Sequence, residues 1–221
     1  MDKVTLGIPI YNAANLVERT LLSALNQTYP NIEFIFVDDK GNSMDIVRRI
    51  IAEHPRRNAV RIIDQKHNQG TARNAIVTYA TGKYLFTMDC DDVIIPDCIE
   101  ILYRKMVEHP VDFVAASFVR KDVQGNIYPG GCQYDDVLVE EGDYAVAQYR
   151  YGQGKNIFVA TWNKLYRTDF LRKNKICCVP HYLIDDPWFT YQVIIRARSC
   201  RLISDCTLFF TYNPLSVTSV K

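Results

Sequence analysis

Five short apolar runs, separated by stretches whose apolar residues recur every three or four positions, restrict the first 120 residues to very few folds. The runs are VTLGIPI (4–10), IEFIFV (32–37), VRII (60–63), KYLFTM (83–88) and DFVAASFV (112–119). Short, continuous and rich in β-branched and aromatic residues, they read as strands covered on both faces. Between them, Leu16, Val17, Leu21, Ala24 and Leu25 mark one helix, and Ile46, Val47, Ile50 and Ile51 a second. Residues 69–80 (QGTARNAIVTYA) read as a third, and Ile99, Leu102, Tyr103 and Met106 stripe a fourth. The second and fourth stop at two EHP triplets, with Pro55 and Pro110. Buried strands joined by amphipathic crossovers give an α/β fold: a mainly parallel sheet with helices on both faces.

Such sheets bind ligands outside the carboxyl ends of their strands. Here those ends are polar. Strand one runs into Tyr11-Asn12, strand two into Asp38-Asp39, strand three into Asp64-Gln65, and strand four into Asp89-Cys90-Asp91-Asp92. One edge of the sheet therefore gathers carboxylates and amides.

After residue 120 the regular alternation ends. Residues 123–136 (VQGNIYPGGCQYDD) carry turn signals and read as a loop or hairpin. Residues 142–150 read as a short helix, LIDDPWFTYQVIIRA as helical from about Pro187, and CRLISDCTLFFTYN as one or two final strands. A length of 221 residues suits one large domain, with a regular front half and a more irregular back half. The net charge of +1 gives no global electrostatic case for nucleic acid or a membrane surface. Seven cysteines, an odd number with two adjacent and no C-x-x-C, point to reduced thiols rather than a disulfide framework or zinc site. No run of 18 apolar residues could span a bilayer, and the N-terminus reads as a strand rather than a signal peptide.

The stretch TMDCDDVIIPD (87–97) places Asp89, Asp91 and Asp92 within four residues of a strand end. Carboxylates this close repel one another. Mg²⁺ or Mn²⁺ would relieve that repulsion, since both take one or two carboxylates together with waters and substrate phosphates. The competing reading is a solvated acidic turn that caps the helix after Pro96. Asp38 and Asp39 would hydrogen-bond a base or ribose, or simply form a turn. Arg73 would meet phosphate or the acidic cluster, or lie exposed on a capped helix. Asp185 and Asp186, followed by Pro187, suit either a catalytic pair or a helix N-cap. Trp162 and Tyr166 read as core before acceptor platform, Lys164 as a phosphate contact or a snorkelling side chain, and His54 and His109 as surface residues. His67 and His181 lie nearer the proposed site but lack ligand spacing. There is no G-x-G-x-x-G and no Walker A sequence.

These residues carry a resemblance. VTLGIPIYNAANLVERTLLSALNQTYPNIEFIFVDD (4–39) and NQGTARNAIVTYATGKYLFTMDCDD (68–92) resemble the family-2 glycosyltransferases, which have the GT-A fold. WNKLY (162–166), IDDPWF (184–189) and the terminal YNPLSVTS are similar as well. The resemblance implies a single GT-A domain over 1–221, with a nucleotide-sugar-binding half (1–120) and an acceptor-side half (121–221). Pro9 and Tyr11 would line the base pocket, Asp39 with its neighbour Asp38 would contact base or ribose, and Arg73 and Cys90 would lie by the nucleotide. Asp89 and Asp91 would form the D-x-D, with Asp91 ahead of Asp89 as metal ligand for Mn²⁺ or Mg²⁺. Asp185 and Asp186 would be the acidic pair, the second serving as base in an inverting transfer.

The implied partners are a nucleoside-diphosphate sugar, a UDP-sugar before others, and a glycan or lipid-linked acceptor. The implied location is the cytoplasm, with peripheral association at the inner face of the membrane. Two departures stand out. The family's DDGSTD is DDKGNSMD here, which brings Lys40 toward the nucleotide, and its Glu-Asp is Asp185-Asp186. The chain also stops soon after the expected core, as a piece of a longer protein or a short member would. Two alternatives remain. A sugar nucleotidyltransferase would need a glycine- and arginine-rich loop after strand one, which PIYNAANL lacks. A catalytically silent sugar-nucleotide-binding module is the other.

Overall fold

The computed structural model describes residues 1–65, 69–179 and 184–212. In chain order its elements are β1 (Val4–Ile10), α1 (Val17–Leu25), β2 (Ile32–Asp38), α2 (Met44–Glu53), β3 (Val60–Asp64), α3 (Gln69–Tyr79), β4 (Tyr84–Thr87), β5 (Val93–Ile94), α4 (Cys98–Glu108), β6 (Phe113–Lys121), β7 (Ile127–Cys132), β8 (Val137–Val139), α5 (Ala145–Ala147, continued by a wider turn at Gln148–Gly152), β9 (Lys164–Arg167), α6 (Thr168–Lys173), α7 (Asp185–Arg196) and β10 (Cys200–Thr211). The strands form one mixed sheet in the order β3-β2-β1-β4-β9-β6-β10-β5, with β7 beside β6 and β8 beside β10. Its longest ladders, β1–β2 and β6–β10, are parallel.

β1 is buried along its whole length, as its apolar run requires. Two of its residues shape the ligand edge. At Gly7 an added Cβ would collide with Ile76 of α3, so glycine lets α3 lie directly on β1. That close approach carries Arg73, one turn before Ile76, toward the strand ends. Pro9 lies two residues on. Gly7 presents its backbone toward β4, whose ladder with β1 ends at the Gly7–Thr87 pair. By strand parity Pro9 turns its missing N–H to the same side, where β4 has already left. The β1–β4 ladder ends at this point, and in a sheet of this kind the crevice that takes a ligand lies outside such strand ends.

The back half is more regular than its sequence suggests. β9 inserts antiparallel between β4 and β6. It is short, and it follows Asn163, whose φ of 54° breaks any extended pattern. Of the loop or hairpin expected after residue 120, the hairpin forms, between β6 and β7. The one or two final strands are a single strand, bulged between Ile203 and Leu208. Helix α7 begins at Asp185, two residues before the expected start. Trp162 packs as core against Phe118, Phe158 and Phe210 and stacks on Phe210 at 5.5 Å. All seven cysteines are free thiols. No described helix is long and apolar enough to cross a membrane.

Candidate functional site

Arg73 organises the strand edge. It lies in the second turn of α3 with its side chain only 3% exposed. One guanidinium nitrogen donates to Asp185 Oδ2, and the other donates to Asp89 Oδ1 at 2.7 Å and lies 3.8 Å from Asp186 Oδ2. The sequence left Arg73 open to phosphate or to the acidic cluster, and the structure gives it to the cluster. The exposed-arginine reading is corrected, because the packing of α3 on β1 buries the side chain. Burial alone would depress the guanidinium pKa. The charges of Asp186, Asp89 and Asp185 outweigh burial and hold it above its ordinary value. Burial raises the pKa of Asp89 and of Asp185, and Arg73 opposes both shifts.

The D-C-D-D turn is built from beneath. Asp92 is 0% exposed. Its Oδ1 accepts the Thr211 N–H at 2.8 Å, and its other oxygen has no partner among the described residues. Burial raises its pKa well above that of an ordinary aspartate. Arg19 donates to Thr211 Oγ1 and, at 2.9 Å, to the Asp91 carbonyl. The end of β10 and helix α1 thus clamp the turn, which corrects the solvated-turn reading. The following helix takes no side-chain cap from this stretch either. The Asp91 carboxylate bonds to its own backbone N–H, and burial followed by the Asp89 charge pushes its pKa up to about 6. Cys90 donates its S–H to the Tyr11 carbonyl at 3.8 Å, and burial raises its thiol pKa.

Across the crevice, the loops after β1 and β2 are joined. Ala13 N donates to Ser43 Oγ at 2.8 Å, and Asn42 N donates to Asn12 Oδ1 at 3.2 Å. Gly41 presses against the Asn12 backbone where no Cβ would fit. Asp38 turns back on its own loop, its Oδ1 accepting the Lys40 N–H at 2.9 Å. Asp39 is buried, and its N–H extends the sheet to the Ile10 carbonyl at 3.0 Å. The Tyr11 ring stands 40% exposed at the rim. Lys40, held at a φ of 64°, pairs with Asp64 at the ends of β2 and β3.

The acidic pair occupies the first turn of α7. The residue before it, Ile184, is the helix cap and makes no side-chain cap hydrogen bond, so the N-cap reading of Asp186 is corrected. Its carboxylate looks sideways instead. Oδ1 accepts the Thr161 N–H at 2.9 Å, and Oδ2 faces Arg73. Lys164 neither snorkels nor reaches toward phosphate. It is 3% exposed and donates to the Ala160 and Phe158 carbonyls at 2.7 and 3.1 Å. Burial pushes its pKa down to about 8, against the opposing charges of Asp186 and Cys132.

Asp89, Asp185, Asp186 and Arg73 thus form one cluster, with Asp91, Cys90 and Tyr11 beside it. Pro9, Asp38 and Asp39 lie at or just beyond the ends of β1 and β2. Thr161, Arg19 and Thr211 were missed by sequence reasoning. Thr161 acts through its backbone N–H, which leaves no side-chain signature. Arg19 sits on an amphipathic helix whose charged residues ordinarily face water. His67, His181 and most of the YNPLSVTS match lie outside the described residues.

Comparison with known proteins gives a consistent family. Residues 5–174 match the sequence profile named Glycosyl transferase family 2. The chain is 30% identical over 176 residues to the glycosyltransferase GlyA of Streptococcus pneumoniae, covering 75% of this chain and 24% of that protein. It is 25% identical over 220 residues to the poly(ribitol-phosphate) beta-N-acetylglucosaminyltransferase TarP of Staphylococcus aureus, covering 96% of this chain and 64% of TarP. Among solved structures, S. aureus TarS 1–349 in complex with UDP-GlcNAc superposes with a TM-score of 0.80 at 21% identity, over 99% of this chain and 61% of that one. The mannosyltransferase PcManGT from Pyrobaculum calidifontis, in complex with GDP-Man and Mn²⁺, gives 0.64 at 18% identity, over 93% and 55%. The chain therefore spans less than two thirds of the length of each of these relatives. Its architecture is of the GT-A type.

Proposed function

The chain belongs to glycosyl transferase family 2, and on that premise we propose that it moves a sugar from a UDP-sugar to an acceptor hydroxyl by one inverting displacement. The observation that carries the reading is Arg73, which joins the D-x-D aspartate Asp89 to the acidic pair on α7 in one buried cluster at the crevice. Donor leaving group and acceptor base need that adjacency. The nucleotide half, 1–120, supplies Tyr11, Pro9 and Asp39 toward the base and Asp38 as the residue that shapes their loop. The acceptor half, 121–221, supplies Asp186.

Asp186 is the base. The acceptor oxygen bonds to the anomeric carbon while the bond from that carbon to the diphosphate breaks, and the hydroxyl proton passes to the Asp186 carboxylate. Asp185 holds Arg73, and Arg73 keeps the three carboxylates together as charge builds on the leaving diphosphate. The donor set at the turn fits a hard divalent cation. The Asp91 carboxylate and the second oxygen of Asp89 accept from no other residue's side chain among the described residues. No group of three metal-binding side chains occurs among the described residues, and Mg²⁺ or Mn²⁺ ordinarily completes its shell with water and substrate phosphate. Once bound by Asp91 and Asp89, such a cation supplies electrostatic stabilisation of the departing diphosphate.

The relatives named for poly(ribitol-phosphate) transfer support a cell-envelope polymer as acceptor, and with it a cytoplasmic site at the inner membrane face. The test is UDP release from UDP-glucose and UDP-N-acetylglucosamine with Mn²⁺, alongside donor affinity. Asp186→Asn should keep donor affinity and lose about 10²–10⁴-fold in rate, the usual worth of a general base. Asp185→Asn should act through a loosened Arg73. Full activity of Asp186→Asn would place the base elsewhere. Tight donor binding with no turnover by the wild type would favour the silent binding module.

A further inference from the structure

Among the described residues, Lys164 is a buried cation that the proposed step leaves unused. Lys164 meets no carboxylate within ion-pair distance among the described residues, and its ammonium is spent on two backbone carbonyls, Ala160 and Phe158. Burying an ammonium without a counter-charge is costly. The expense is explained by what those carbonyls belong to.

Residues 158–161 form a strap beside the first turns of α7, and several hydrogen bonds fasten it. Phe158 N donates to Tyr134 Oη at 2.8 Å, and Thr190 Oγ1 donates to the Ala160 carbonyl at 3.2 Å. The Thr161 carbonyl accepts from Thr87 Oγ1 at 2.9 Å and from Tyr166 Oη at 3.1 Å. The neighbouring Asn163 takes a left-handed conformation and locks the turn to β6, donating to the Ala116 and Ser117 carbonyls at 2.9 and 3.1 Å. The free end of the strap is the Thr161 N–H, and it points at Asp186 Oδ1.

We propose that Lys164, within the W-N-K stretch, is a positioning residue: it holds the 158–161 strap so that the Thr161 amide fixes Asp186 Oδ1 and leaves Oδ2 as the atom that takes the acceptor's proton. This rests on the reading of Asp186 as base. Oδ2 is suited to the task, since it lies 3.8 Å from Arg73, beyond a direct hydrogen bond, and among the described residues accepts no hydrogen bond that would compete with the incoming hydroxyl. In the step itself, the acceptor oxygen gains a bond to the anomeric carbon, the diphosphate leaves with the electron pair of the broken C–O bond, and the proton ends on Oδ2. A base displaced by about 1 Å can lose on the order of 100-fold in rate, so a strap that only orients it is worth much of the chemistry.

The experiment compares the wild type with Lys164→Met, which keeps the length of the side chain and removes its donors. Two readouts are used: UDP release from UDP-glucose and UDP-N-acetylglucosamine with Mn²⁺ and water as acceptor, and hydrogen exchange of the Thr161 amide by NMR. Lys164→Met should exchange Thr161 faster, keep its donor affinity, and release UDP about 10- to 100-fold more slowly. In an Asp186→Asn background the same change should cost nothing further, because the strap acts through that carboxylate. Equal fold-losses in both backgrounds, or unchanged release beside faster exchange, would overturn the positioning role. Unchanged Thr161 exchange would overturn the strap. If Lys164→Met does not fold, Thr190→Val loosens the same strap without touching a charge and should move both readouts in the same direction. A wild type that releases no UDP from either donor counts against the proposed function instead, and Thr161 exchange then decides the strap alone.

Discussion

Replacing Arg73 by methionine keeps the side-chain length and removes the one charge that Asp89, Asp185 and Asp186 share. Breaking a buried ion pair by removing one partner typically costs about 3–5 kcal/mol. Asp185 is as buried as Arg73, whereas the Asp89 and Asp186 side chains are about a quarter exposed and can recruit water. That places the expected loss near the lower end, about 3 kcal/mol. For a chain of this size it corresponds to about 6–12 °C in Tm.

The loss should depend on pH in a definite direction. Asp89 and Asp185 already titrate above the ordinary aspartate value in the folded protein, because burial outweighs Arg73. Their ionisation therefore costs folding stability as pH rises through the folded pKa values, and the cost vanishes below the unfolded value near 3.8. Without Arg73 the folded values rise further, so the deficit of the mutant grows with pH and shrinks toward acid. Urea unfolding at several pH values between 5 and 8, followed by tryptophan fluorescence, measures it. A deficit under about 1 kcal/mol at pH 7.5 would refute the cluster as a charge-balanced unit, being the size of an exposed pair. A deficit of equal size at every pH would assign the effect to packing.

Asp91→Asn should weaken the Mn²⁺-dependent binding of UDP by isothermal calorimetry and leave metal-free binding unchanged; equal affinities with Mn²⁺ would remove Asp91 from the metal site. Tyr11→Ala should lose about 1 kcal/mol of nucleotide affinity if the exposed ring stacks on the base, and Asp39→Ala should change the ranking of UDP, GDP and CDP in competition binding, whereas an equal loss for all three would mean that Asp39 does not read the base. Gly7→Ala should destabilise by about 1–3 kcal/mol in urea unfolding, because the new methyl meets Ile76 where α3 rests on β1; a neutral result would show that α3 can lift off without cost.

The sequence alone determined the strands and helices of the front half, the edge where they end, and the residue types gathered there. Those are local properties: backbone geometry sets a period of about 2.0 for a strand and 3.6 for a helix, and apolar residues report it directly. Tertiary structure alone decided which charges meet. Arg73 and Asp185 are 112 positions apart, and nothing local distinguishes an arginine that will face water from one that α3 carries over a glycine into a ring of carboxylates. Asp92 reads as one more acid of a turn until the end of β10 arrives beneath it to bind its carboxylate. β9, Lys164 and the Thr161 amide were illegible for the same reason. A four-residue strand, a buried lysine and a backbone N–H acquire their roles only when β4 and β6 close on either side of them, because hydrogen-bond and charge partners are fixed by distance in space and not by spacing along the chain.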